Sequence, residues 1–227
     1  MSMFAFLYKR HKMKRIICII VACILALPIM VNGQDASTVK AGETLSGSSG
    51  LISLGFRSSI SMFNDGDWNS VGTGAGGQIR VQLSDNVNTE WFYDYLTANV
   101  GDYAHRTDEH IGWSVLFYPF VTHGMMTVIQ PYIMAGHCFD YSLFTDNSNE
   151  NNSAKRWSSA VQAGIGTHIN FTRQFNISSS LQYMIHLSND IGATDNNGVV
   201  VFTRQSGLDL VGHLLFNVSA NFVLGKL

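Results

Sequence analysis

Apolar side chains recur at every second position through most of this chain, and that alternation limits the fold more than any other feature. In residues 51–63, Ile52, Leu54, Phe56, Ile60 and Met62 share one side, while Ser53, Gly55, Arg57, Ser59 and Ser61 share the other. A strand sends successive side chains to opposite faces; a helix would instead group residues three and four apart. The pattern returns as Ile79, Val81 and Leu83 against Gly76, Gln78, Arg80 and Gln82, and as Trp91, Tyr93 and Tyr95 against Glu90 and Asp94. It returns again as Ile111, Trp113, Val115 and Phe117 against His110, Gly112 and Ser114. Residues 157–169 set Trp157, Val161, Ala163 and Ile165 against Ser158, Gln162, Gly164 and His168. The last two segments set Ile177, Leu181, Tyr183, Ile185 and Leu187 against Ser178, Ser180, Gln182 and His186, then Leu214, Phe216 and Val218 against His213, Asn217 and Ser219. Residues 127–141 form a further segment whose faces the pattern does not assign. The expected fold class is all-β: an up-and-down antiparallel transmembrane β-barrel of about eight strands over residues 51–227, apolar outside and small or polar inside.

The connections support the same architecture. Residues 84–88, 120–126 and 170–174 are short links, whereas 64–70, 99–109, 142–156 and 189–206 are longer and rich in Asn, Asp, Ser and Gly. Short turns at one end and long loops at the other are the habit of barrels that cross an outer membrane. Residues 199–202 either extend a hairpin or belong to the last loop. A soluble lipid-binding barrel, with an apolar lumen and a wet exterior, would use the same alternation inside out. Charged residues make up only 13% of the chain, against about 25% in soluble domains. The polar faces carry Gly and Ser rather than Lys and Glu, which suits a tight interior better than a solvated surface.

Residues 1–33 read as a cleavable signal peptide. Lys9, Arg10, Lys12, Lys14 and Arg15 precede an apolar run from Ile16 to Met30, and Val31, Asn32 and Gly33 offer small residues for cleavage. Met13-Lys14-Arg15 already makes a compact basic n-region, so Met1 and Met13 are both candidate starts. Residues 34–50 form a polar, flexible lead-in. Beyond the leader Cys138 is the one cysteine, so closure of the sheet, not a disulfide, must hold the domain. The net charge of −2 excludes a basic nucleic-acid surface.

Residues 161–168, the turn after them, and residues 177–186 resemble the closing hairpins of the bacterial outer-membrane protein β-barrel family. Residues 130–136 resemble its middle strand. The resemblance implies the fold and the membrane. A second, local resemblance lies in His186-Leu187-Ser188-Asn189 with Asn196-Asn197-Gly198, which is similar to the active-site segment of lipid A deacylases. It implies an acyl-ester hydrolase in which His186 is the base, Ser188 the nucleophile and Asn189 the oxyanion donor. The family's acid falls where Val200 stands; Asp209 takes that role if residues 199–206 are an insertion.

Strand parity argues against catalysis. His186 and Ser188 share the face of Ser178, Ser180 and Gln182, so both are expected in the lumen, with no acid at the imidazole in a hydrolase arrangement. The preferred reading is a non-enzymatic, non-channel barrel with a structural or surface-binding role; the hydrolase and the soluble carrier are the alternatives. Arg57, Arg80, Glu90 and Asp94 all fall on lumen faces and are expected to form an ionic cluster, with Arg80 and Glu90 facing each other across the turn at 84–88. No cofactor and no metal site are expected, since the histidines lack metal-ligand spacing. The expected partners are outer-membrane lipid and, through the loops, an external ligand.

Overall fold

A computed structural model describes residues 49–63, 71–120, 128–187, 191–196, 198–204 and 212–227. The leader expected at 1–33, nearly all of the lead-in expected at 34–50, and Ser188, Asn189 and Asp209 lie outside them. Ten strands follow in order: β1 (Leu51–Phe63), β2 (Val71–Ser84), β3 (Val87–Val100), β4 (Ala104–Phe117), β5 (Ile129–Asp146), β6 (Ser153–Asn170), β7 (Phe175–His186), β8 (Ile191–Asn196), β9 (Val199–Arg204) and β10 (Gly212–Lys226). Eight of them close an antiparallel barrel in the order β1-β10-β7-β6-β5-β4-β3-β2, and β8 and β9 form a separate hairpin. Closure runs from Leu51 opposite Lys226 to Phe63 opposite His213, with one irregularity between Ile52 and Ser53.

Burial is inverted relative to a soluble barrel. Phe56, Ile79, Trp91, Ile111, Trp113, Ile133, Ile165, Leu181 and Phe216 are exposed on the outside. Arg57, Ser61, Arg80, Glu90, Asp94, Gln162, Ser178 and Asn217 are buried inside. The alternation therefore resolves into an apolar wall around a polar core, the reverse of a carrier with an apolar lumen.

Glycine lets that core pack. Arg57 on β1 stands opposite Gly76 on β2, which stands opposite Asp94 on β3. A Cβ at Gly76 would collide with the Tyr93 carbonyl oxygen and the Asp94 carboxylate. Without it, Arg57 reaches over the intervening strand to Asp94 at 3.0 Å. Gly136 plays the same part between Ser114 and Gln162, whose side chains bond across it at 2.8 Å.

The strands are longer at the end away from the termini than the pattern suggested. β4 begins at Ala104, β5 runs to Asp146 and β6 begins at Ser153. The loops expected over 99–109 and 142–156 thus shrink to residues 101–103 and 147–152. In the added part of β4 the outward residues are His105, Thr107 and Glu109 and the inward ones Arg106 and Asp108. Both faces are polar, so no hydrophobic period marks the strand. At 18 residues each, β5 and β6 exceed the ~9–11 residues that cross a hydrocarbon core.

The connection over 189–206 contains the β8–β9 hairpin, with Gly198 at φ 85° in its turn and the Gly198 N–H donated to Asp195 Oδ1. Residues 199–202 thus belong to a hairpin, and the glycine of the enzyme-like segment is a turn residue. Ala193 and Val200 are buried against Val100 and Ala104, with Tyr103 and Phe202 packed around them. Val100 and Ala104 are lumen-facing positions at the far end, so the hairpin lies across the mouth. Tyr103 Oη donates to the Ala193 carbonyl and Asn152 Nδ2 to that of Val200, at 3.2 and 2.7 Å.

Outward position and depth together set the cost of a charge on the wall. Leu181, opposite Ile165 and Phe216 near mid-strand, should lose about 2–4 kcal/mol of folding free energy on replacement by Arg. Leu224→Arg, near the strand end, should lose about 0–1 kcal/mol. Reversible urea unfolding in phospholipid vesicles measures both; equal losses would contradict the apolar-wall assignment.

Candidate functional site in the barrel lumen

Two clusters of charge fill the lumen. In the first, Glu90 on β3 lies between Arg57 on β1 and Arg80 on β2, at 3.1 and 2.8 Å. Asp94 adds a 3.0 Å contact to the Arg57 Nε, and the Arg57 guanidinium lies 4.5 Å above the Phe92 ring centroid. The contacts run in a chain, Arg80–Glu90–Arg57–Asp94. Two carboxylates face two guanidiniums, so the group carries no net charge, as ions removed from water require.

The second cluster surrounds Asp140, on the strand whose faces the pattern did not assign. Its Oδ1 lies 3.2 Å from His110 Nε2, and its Oδ2 lies 3.1 Å from His186 Nδ1 and 3.2 Å from an Arg156 nitrogen. Ser158 donates to the same Oδ2 at 3.2 Å. His186 Nε2 lies 3.0 Å from His213 Nδ1, and the His213 ring stacks on His110 at 5.7 Å. Above them Arg106 and Ser142 bond Asp108 at 2.8 and 2.6 Å. One proton assignment satisfies the histidine pair in its neutral form: His186 Nδ1–H points to Asp140 and Ser158, and His213 Nδ1–H donates to His186 Nε2. At the rim, hydrogen bonds from the Ser148 side chain and backbone hold the Asp146 carboxyl below its ordinary range.

His186 is buried inside the barrel at 1% exposure. Its imidazole does meet an acid, which parity reasoning did not anticipate: Asp140 from β5. The other ring nitrogen, which a serine hydrolase turns toward its nucleophile, faces His213. Ser188, Asn189 and Asp209 lie outside the described residues. Parity already placed His110, His186 and His213 on inward faces. What it lacked was their height along the barrel, which brings residues from β4, β7 and β10 to one level. Among the described residues no group of three or more His, Cys, Asp or Glu is arranged to hold a metal ion.

Toward the terminal end a third, neutral network crosses the lumen. Asn88 donates to Tyr118 Oη at 2.7 Å, Tyr118 Oη meets His168 Nε2 at 2.8 Å, and His168 Nδ1 meets Ser178 Oγ at 2.5 Å. Asn221 and Gln78 continue it from β10 to β2. An aliphatic and sulfur-rich layer of Leu96, Cys138, Met184 and Leu215 also occupies the interior. A barrel of about eight strands has room for such filling and little else.

No protein-family model and no curated protein matches the sequence. Among solved structures, a major outer membrane protein from Thermus thermophilus is similar at a TM-score of 0.50 and 9% identity, over 76% of this chain and 99% of that one. The fold is that of the small outer-membrane β-barrels. The N-terminal β-barrel domain of Pseudomonas aeruginosa OprF matches at a TM-score of 0.46 and 17% identity, over 79% of this chain and 100% of that one. Neisserial surface protein A matches at 0.49 and 12%, over 77% and 97%.

Glu90 is the shared partner of two buried arginines, so Glu90→Gln leaves both undercompensated. The variant should lose about 3–5 kcal/mol of stability, read by urea unfolding in vesicles. A loss below about 1 kcal/mol, the range of exposed pairs, would show that the lumen is wet at this level.

Proposed function

We propose that this chain is a bacterial outer-membrane barrel that does not conduct, and that it acts through its wall and its raised rim. The reading rests on one observation above all: the Arg57–Glu90–Arg80 bridge spans the lumen side of three neighbouring strands, with residues of every barrel strand filling the space around it. The apolar exterior supports membrane insertion. The basic and apolar pattern of residues 1–33 supports export. Termini and short turns share one end, which in outer-membrane barrels is the periplasmic side; the tall β3–β6 wall and the β8–β9 hairpin are then outside the cell. There they offer a polar, folded surface to a ligand or neighbouring cell component. The lipid-hydrolase alternative draws no support from His186, whose ring is committed to Asp140 and His213 within the lumen.

Purified protein inserted in a planar bilayer should give no steady conductance. Removing residues 191–204 should leave the bilayer closed, because the ionic clusters lie beneath the hairpin. Cell fractionation should recover the protein with outer-membrane lipid. Stepwise single-channel currents from the intact protein would refute the non-conducting reading, and recovery in the soluble fraction would refute the membrane one.

A further inference from the structure

The outer wall is largely apolar at mid-height, and toward the rim a strip of β5 and β6 combines polar, aromatic and cationic side chains on its outward face. On outward-facing positions of these strands, His137 Nε2 lies 2.6 Å from Ser159 Oγ. One rung nearer the rim, Tyr141 and Trp157 pack side by side with ring centroids 4.8 Å apart, and Trp157 is 72% exposed. One rung higher still, Lys155 points outward, and the Arg204 guanidinium of β9 bonds the Lys155 carbonyl at 3.3 Å. From Ser159 to Lys155 is about 13 Å at ~3.3 Å per residue. Below Ser159 the wall turns greasy again with Val161, Ile165 and Ile133.

This order matches a lipid read from head to tail. Tyr and Trp mark the level where headgroups meet acyl chains. Two exposed cations just above that level sit where headgroup phosphates lie. Arg has five donors in a planar fork suited to phosphate oxygens, of which the Lys155 carbonyl takes one. The His137–Ser159 pair lies just below the aromatics, at the depth of acyl carbonyls. Whichever tautomer His137 adopts, one shared hydrogen bond uses one of the pair's two donors and leaves a second, either Nδ1–H or the serine hydroxyl. A polar pair on the lipid face with a remaining donor is suited to an ester or amide carbonyl. On the outward face of β4, Glu109 contacts Tyr93 Oη at 3.3 Å and stands opposite Tyr141, two strands from Trp157. On the β5 and β4 side, the row of Lys155 holds Leu143 and Thr107.

We propose that this strip binds one phosphorylated lipid of the outer leaflet, with its phosphate on Lys155 and Arg204, its sugar or glycerol edge on Trp157 and Tyr141, and an acyl carbonyl on the His137–Ser159 pair. The inference rests on the membrane reading above. The test uses full-length mature protein in phosphatidylcholine nanodiscs carrying a minor fraction of purified diphosphorylated lipid A, with bound lipid read by native mass spectrometry. Wild type should retain lipid A over phosphatidylcholine. The double variant K155Q/R204Q should retain it about tenfold less, and H137L/S159A about threefold less, with circular dichroism and heat-dependent gel mobility unchanged in both. Inorganic phosphate should not displace the lipid. Equal retention by wild type and K155Q/R204Q overturns the site, as does displacement by inorganic phosphate alone. Failure of the wild type to insert into nanodiscs overturns the membrane reading and the site with it; insertion without selective retention overturns the site alone.

Discussion

A strand carries N–H and C=O groups along both edges, and in hydrocarbon each unpaired group costs several kcal/mol. The pairing of β1 with β10 removes the last free edges of the eight-stranded sheet, and the rest of the architecture depends on it. Once the sheet is closed, each strand has one face toward the outside and one toward a narrow interior. The outer face can be apolar without needing a second layer to cover it. The inner face must then be filled by side chains that satisfy one another, because the lumen has little room for water. Where β6 rises past the end of β7 at His186, its edge is served in part by the Leu187 N–H on the Ser159 carbonyl and by Arg204 on that of Lys155.

The interior solves a crowding problem with two residue classes. Charged and amide side chains supply bonds that reach past the adjacent strand, and glycine clears the path between them, as Gly76 does for Arg57 and Asp94. Adding a methyl group at such a position would disturb both backbone and ion pair. Composition and electrostatics are thus one design: little charge in total, much of it buried in pairs, and Gly and Ser where a soluble surface would have Lys and Glu.

Much of this was legible in the alternation. The faces of β1, β2, β3, β6, β7 and β10 follow from parity, and the contact of Arg80 with Glu90 follows from their places beside a short turn. The rest was hidden for two opposite reasons. In β5 the inward set includes Tyr132, Met134 and Cys138 beside outward Ile133 and Phe139, so both faces are apolar and the period vanishes; Asp140 was lost with it. In the upper part of β4 both faces are polar, so the strand read as loop. The alternation leaves a hairpin at residues 199–202 undecided because the buried residues of β8 and β9, Ala193 and Val200, pack on the barrel mouth and not on a regular face of their own. The histidine cluster needed relative strand heights, which closure and tilt fix and parity does not.

Two claims, that lipid touches the outer set and that side chains fill the inner set, can be read together by site-directed spin labelling in vesicles. Nitroxides would be placed singly at Leu181 and Phe216 on the outside and at Ser180 and Asn217 on the inside, in a cysteine-free background. Collision with dissolved oxygen and with a water-soluble nickel chelate would then be compared. The outer labels should be relaxed by oxygen and protected from nickel, and the inner labels should be immobilised and protected from both. Nickel access at Leu181 and Phe216 would mean water lies outside the barrel, and ready nickel access at Ser180 and Asn217 would mean the lumen is an open pore; either result contradicts the account.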